Sequence, residues 1–258
     1  MNANSLFSFI LYFLIYAILG WLCEVLFAWF KHHQWINRGF LIGPWCPIYG
    51  IGVVLLIVGL DFLKSNLVLL FLGSVLLTTI IEGLTGWILE TLFHQRWWDY
   101  SKMPFNIHGY VCLLFSLIWG VAGVVMVDGV QPLIASWVAR IPQSVLVIGV
   151  ICLGCGFLVD FAMTVYRLIQ VNHVTARLSG KLEELRLQVT ESDLRALLKK
   201  ELTARISDPL RAQRDDILNE LSSNIKHFKH FKKAFPLAVP IRFTKAYELL
   251  KDYLDRKE

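Results

Sequence analysis

The first basic residue of this chain is Lys31, and only 17% of its 258 residues carry a charge, against about 25% in an ordinary soluble domain. Such scarcity excludes a soluble fold for most of the chain. Nothing basic precedes the apolar run that starts at Leu6, and no small-residue cleavage site follows it within the usual distance. This argues against a secretory signal and for a first membrane helix. Three motifs are also missing: a Gly-rich loop ending in Lys-Ser/Thr, a Gly-x-Ser-x-Gly elbow and a His-Glu-x-x-His pair. Without them, ATP hydrolysis and hydrolase chemistry by this chain alone are not expected. Cys23, Cys46, Cys112, Cys152 and Cys155 all fall in apolar stretches with no zinc-like Cys/His spacing, so thiols are expected and neither a metal nor a cofactor is.

Apolar residues, by contrast, make up 56% of the chain. Runs long enough for about 30 Å of hydrocarbon cover residues 6–30, 45–63, 67–93, 110–127 and 144–166, which predicts an all-α membrane protein with five transmembrane helices in residues 1–166. The stretch QPLIASWVARIP, with Pro132 suited to a first turn and Pro142 as a stop, predicts a short interfacial helix between the last two spans. Up to Tyr166 there are six Lys/Arg against seven Asp/Glu; from Arg167 onward there are nineteen against thirteen. The excess cations favour a cytoplasmic location for residues 167–258, with the N-terminus outside the inner membrane.

That tail reads as helical. Leu194, Leu197, Leu198, Leu202 and Ile206 share one face, and Ile217, Leu221 and Ile225 continue the period after a Ser-Asp-Pro cap. Phe228, Phe231 and Phe235, flanked by Lys226, Lys229, Lys232 and Lys233, predict attraction to an anionic leaflet rather than to nucleic acid.

The membrane part repeats itself. GWLCEVLF from Gly20 matches GWILETLF from Gly86, and RGFLIGPWCPIYG from Arg38 lies over HGYVCLLFSLIWG from His108. Residues 20–50 and 86–120 are therefore duplicated helix-loop-helix units. Because each contains two spans, the copies are expected to be related by an axis along the membrane normal. Trp21 corresponds to Trp87, Glu24 to Glu90 and Tyr49 to Trp119.

Glu24, Glu82, Glu90 and Asp160 lie within apparent spans, where carboxylates are costly and so mark function by default. Glu24 and Glu90, with Trp21, Trp87 and the deeper Glu82, form the candidate intramembrane site; the competing reading is that each glutamate simply locks helices through a hydrogen bond. Asp160 reads as an interfacial anchor. Arg38, Arg96, Asp99, Tyr100 and Asn106 form a candidate cytoplasmic gate or loop, in which either arginine could pair with a glutamate or with Asp99. Pro44-Trp45-Cys46-Pro47 breaks the entry to the second span, making Gly39–Gly52 a candidate site wall. Gly83, Gly86, Gly149, Gly154 and Gly156 are read as allowing close helix packing.

Four segments, RGFLIGPWCPIYGIG, EGLTGWILETLF, RWWDYSKMPFNIHGYVCLLFSLIWG and KKAFP, resemble the ABC-transporter permease family of the CmpB type. The resemblance is strongest over about the first 125 residues. It implies a bacterial multi-pass inner-membrane protein and a transport component, with a cytoplasmic ATPase or another protein as partner and self-association into a homo-oligomer compatible. The alternative is a structural or regulatory membrane protein whose basic helical tail recruits a cytoplasmic partner.

Overall fold

A computed structural model of the chain describes residues 3–33, 35, 37, 39–188, 212, 216 and 239–240. Arg38 and the tail residues Lys226, Phe228, Lys229, Phe231, Lys232, Lys233 and Phe235 lie outside the described residues. Helices dominate, as required where lipid offers backbone N–H and C=O groups no partner. They are α1 (Ala3–His32), α2 (Pro47–Leu60), α3 (Leu67–Phe93), α4 (Leu113–Val124), α5 (Gln131–Val138) and α6 (Gln143–Gln188). α1 is followed by His33 and α3 by His94, both with positive φ, and the His33 N–H reaches the Trp29 carbonyl at 2.8 Å, a left-handed helix ending.

Four segments are long and apolar enough to cross a bilayer: Leu6–Lys31, Leu67–Phe93, Leu113–Val138 and Gln143–Gln170. The expected second span exists as a shorter apolar helix, Pro47–Leu63, whose last three residues form a 3-10 turn. The fourth span and the expected interfacial helix are one element rather than two. A π-helical turn, Val125–Val130, carries α4 directly into α5. Pro132 inside a regular helix would remove a hydrogen bond and clash with the preceding turn, and the wider π turn just before it relieves that strain. Nor does the last helix stop at Tyr166; it continues to Gln188, so the first part of the 167–258 region is helical as expected.

The described residues divide into two compact units, one holding those up to Leu92 together with Arg96–Thr164, the other holding Phe93–Gln95 and the helix from Val165. In the first unit α2 buries one face, with Gly50, Val53, Leu56 and Leu60, and leaves Ile51, Leu55 and Val58 exposed. Its Val53 packs with Leu11 and Tyr16 of α1, Ile134 and Val138 of α5, and Leu146 and Val150 of α6. Leu56 and Leu60 pack with Leu70 of α3 and Val127 of the π turn. The outer faces stay apolar, with Leu72, Leu76 and Leu84 of α3 and Ile148, Ile151 and Leu158 of α6 all exposed, as lipid-facing side chains should be. In the second unit the Asn172 amide donates to the Phe93 carbonyl at 2.9 Å.

Packing also reflects the repeat. A side chain at Gly50 would place its Cβ 2.5 Å from the Phe13 carbonyl oxygen of α1, and one at Gly120 would overlap Val75 of α3. In both repeats the corresponding glycine lets the second helix lie directly on the first. Gly149, Gly154 and Gly156 differ from expectation: nothing packs within 4 Å of where their side chains would begin, so they bring no described helix close.

Candidate functional site

The site starts at Gly20. The Tyr49 ring of α2 occupies the space that a Gly20 side chain would need, which brings its hydroxyl to Glu24, one helical turn further along α1. Tyr49 donates to Glu24 Oε1 at 2.6 Å. The other face of the cluster comes from α3 and α4. Glu82 Oε1 accepts from the Tyr100 hydroxyl at 3.0 Å and from the Trp119 indole N–H at 3.3 Å. Tyr49 and Trp119 meet edge to face, their ring centroids 5.6 Å apart, so the two hydrogen-bonded pairs share one aromatic junction. Tyr100 also stacks on Phe115 at 4.7 Å. Burial holds the Tyr100 hydroxyl well above the ordinary phenol range. It therefore remains a donor at neutral pH.

Glu82 is only 7% exposed, and its Oε2 is buried with no hydrogen-bond partner among the described residues. Two neutral donors on one oxygen and none on the other is an unusual shell for a carboxylate in apolar surroundings, because a buried charge demands full solvation by partners.

Glu90 goes elsewhere. Its carboxylate receives Arg96 Nε at 2.6 Å and, more loosely, Nη2 at 3.4 Å, while Arg96 Nη1 lies 3.3 Å from Asp99 Oδ1. The Glu90 hydrogen bond raises the Arg96 pKa, and Asp99 is held below the usual carboxylate range first by the Ser101 backbone N–H and then by Arg96. Arg96 also lies over the Tyr110 ring, 5.2 Å from its centroid. The structure therefore brings Glu24 and Glu82 to one cluster, and gives Glu90 an arginine partner in the loop that follows its own helix. Of the two tryptophans, Trp21 donates to Asn37 Oδ1 at 3.0 Å, whereas Trp87 is 54% exposed on the outer face of α3 and belongs to no polar cluster.

Both repeat loops are organised by asparagine. Asn37 Oδ1 accepts from the Gly39 N–H, and its amide donates to the Leu41 and Ile42 carbonyls. Asn106 Oδ1 accepts from the Gly109 N–H, and its amide donates to the Ser101 and Met103 carbonyls. Gly109 has φ +76°, and a Cβ there would lie 2.6 Å from Asp99 Oδ1. Only glycine satisfies that backbone and that approach together.

The non-helical entry to α2 is covered by protein. The Gly43 N–H donates to Asp160 Oδ2 at 2.9 Å, the Ile42 N–H to Thr164 Oγ1 at 3.3 Å, and the Cys46 N–H to the Ala17 carbonyl at 2.9 Å. Asp160 is thus a buried acceptor for a loop amide. The sequence alone does not single out Asn37 or Thr164 as site residues. The signal for Asn37 is a side chain with both a donor and an acceptor two residues before Gly39, near a tryptophan that needs an acceptor.

A second buried polar pair lies towards the start of α1. Tyr16 donates to Gln131, which follows the π turn. The five cysteines make no disulfide, and no group of three or more His, Cys, Asp or Glu gathers among the described residues.

No solved structure matches the chain. A family model described as "Putative ABC-transporter type IV" matches residues 11–165, more than half of the chain and every residue of the Glu24–Glu82 cluster. This multi-pass membrane protein belongs to that ABC-transporter type IV family.

Proposed function

We propose that the chain is a membrane transport component whose working site is the cluster of Glu24, Tyr49, Glu82, Tyr100 and Trp119. The observation that carries this reading is the meeting of Tyr49 and Trp119, equivalent residues of the two repeats, each of which also donates to a carboxylate. Carboxylates within membrane helices are retained where they handle an ion or a proton, and these two face protein rather than lipid. The Arg96–Glu90–Asp99 group closes the loop side of the second repeat. Pro47–Leu63 serves as a fifth span, the N-terminus lies outside the inner membrane, and the basic tail is cytoplasmic, where it meets anionic lipid and a partner protein. Lacking a phosphate loop of its own, the chain takes a cytoplasmic ATPase as that partner.

Purification of the full chain in mild detergent, with identification of whatever accompanies it, tests this. A nucleotide-hydrolysing subunit should co-purify, and its activity in vesicles containing both proteins should fall in Glu24→Gln and Glu82→Gln chains that remain folded. Reporter fusions at Lys64 and Arg140 should report the outer side, and one at Ser101 the cytoplasm. If no such subunit accompanies the chain and the two substitutions only lower stability, the structural or regulatory reading replaces this one. That reading is favoured by the Glu90–Arg96 pair, which ties the loop to its own helix without any need for transport.

A further inference from the structure

Among the described residues, Glu82 Oε2 is the one carboxylate oxygen that is fully buried and has no hydrogen-bond partner. Asp160 is equally enclosed, but it accepts the Gly43 N–H. Tyr100 reaches Glu82 from the loop after α3 and Trp119 from α4, while Tyr49 of α2, Glu24 of α1 and Cys112 stand in the next layer. None of these is cationic, and no described lysine or arginine forms an ion pair with Glu82. An ionised carboxylate in such a shell lacks compensation on one oxygen, which is unfavourable in an apolar setting. A bound metal ion would need several further ligands, and the described residues supply no cluster of three His, Cys, Asp or Glu.

We infer that Glu82 is a proton-binding site, with the proton on Oε2 and the acceptor oxygen Oε1 held in place by Tyr100 and Trp119. This inference rests on the transport reading above and names the ligand of that site as a proton. On release the O–H bond breaks, its electron pair stays on Oε2, and the proton passes to water that enters the opened cluster. The Tyr49–Trp119 junction places Glu24, with its own hydroxyl donor, as the neighbouring carboxylate on the path. Glu90 is excluded from that role by its arginine.

The test uses the full-length chain in lipid vesicles and a hydrophobic carbodiimide, which reacts with a carboxyl only in its protonated form. Adducts are located by mass spectrometry across a pH series, and the infrared carbonyl stretch of protonated carboxyls is recorded alongside. The expected result is an adduct at Glu82 that declines as pH rises, and a carbonyl band that disappears in Glu82→Gln and persists in Glu90→Gln. Should Glu82→Gln fail to fold, Tyr100→Phe decides the matter, because it removes one donor from Oε1 and must shift the band. A folded wild-type chain with no Glu82 adduct at any pH, or a band unmoved by Tyr100→Phe, overturns the inference. Neither readout depends on flux. A pH-dependent Glu82 adduct in a chain that transports nothing supports the proton site and removes the transport reading; flux that falls in folded Glu24→Gln and Glu82→Gln chains, with no Glu82 adduct and no band lost, does the reverse.

Discussion

Tyr49 and Trp119 touch edge to face at 5.6 Å although 70 residues separate them, and they occupy matching places in the two repeats. A residue close to a twofold axis meets its own counterpart, so contact between equivalent positions is what duplicated helix pairs facing each other produce. Their polar atoms point in different directions, the hydroxyl to Glu24 on α1 and the indole to Glu82 on α3. The junction therefore couples the two repeats mechanically as well as chemically.

That coupling is measurable. In a double-mutant cycle on Tyr49→Leu and Trp119→Leu, unfolding in detergent should show an interaction term of about 0.5–1.5 kcal/mol, typical of an aromatic pair in contact. Additive effects within error would mean that the rings do not meet.

Glycines in α2 should behave oppositely. Gly50→Ala forces a methyl against the Phe13 carbonyl, whereas a methyl at Gly52 would have nothing within 4 Å. Overpacking of this kind costs about 1–3 kcal/mol, so Gly50→Ala should lower the unfolding temperature while Gly52→Ala leaves it nearly unchanged. Equal effects would contradict the close α1–α2 approach.

Asn37→Ala should loosen the entry to α2. It leaves the Gly39 N–H and the Trp21 indole without their acceptor and the Leu41 and Ile42 carbonyls without their donor, a loss of about 1–3 kcal/mol for each buried group stranded. Amide hydrogen exchange should accelerate across Gly39–Cys46 and remain slow in α6. Exchange that speeds up throughout the first unit instead would show that the loop does not open by itself.

Asp99 sets an acid limit. Its pKa is lowered by the Ser101 N–H and by Arg96, so its contribution to stability is complete above the unfolded value of about 3.9 and is lost as pH falls through the lower folded value. Asp99→Asn should therefore flatten the acid limb of a stability–pH curve while leaving the neutral range little altered. A change centred near pH 7 would implicate a different group.

Much of this arrangement can be read from the chain, because the repeat keeps Gly, Trp and Glu in register and the apolar runs mark the helices. The sequence leaves Arg96 a choice between a glutamate and Asp99, and it meets both Glu90 and Asp99. Which carboxylates form the central cluster is not legible. Glu82 and Glu90 are eight residues apart, and at about 100° per residue they project roughly 80° from one another, so one can face α4 while the other faces the loop. The Asp160 contact is not legible either, because its partner is a backbone N–H 117 positions away, which leaves no pattern in side-chain chemistry. The fusion of α4 with α5 is hidden for a related reason. Pro132 normally marks a helix start, and only the preceding π turn makes it compatible with continuation.

The shortness of α2 has a consequence for the surrounding lipid. Its 14 residues measure about 21 Å, less than a hydrocarbon core of about 30 Å, while the 27 residues of α3 measure about 40 Å. Helices of such unequal length, placed in one bilayer, meet opposite hydrophobic mismatch, which tilting accommodates for a long helix and local thinning for a short one. The Gly39–Cys46 loop completes the missing length on one side with peptide groups whose partners are Asn37, Asp160 and Thr164. The thickness of the host membrane is thus a variable to which the α1–α2 pair carrying Glu24 and Tyr49 should respond.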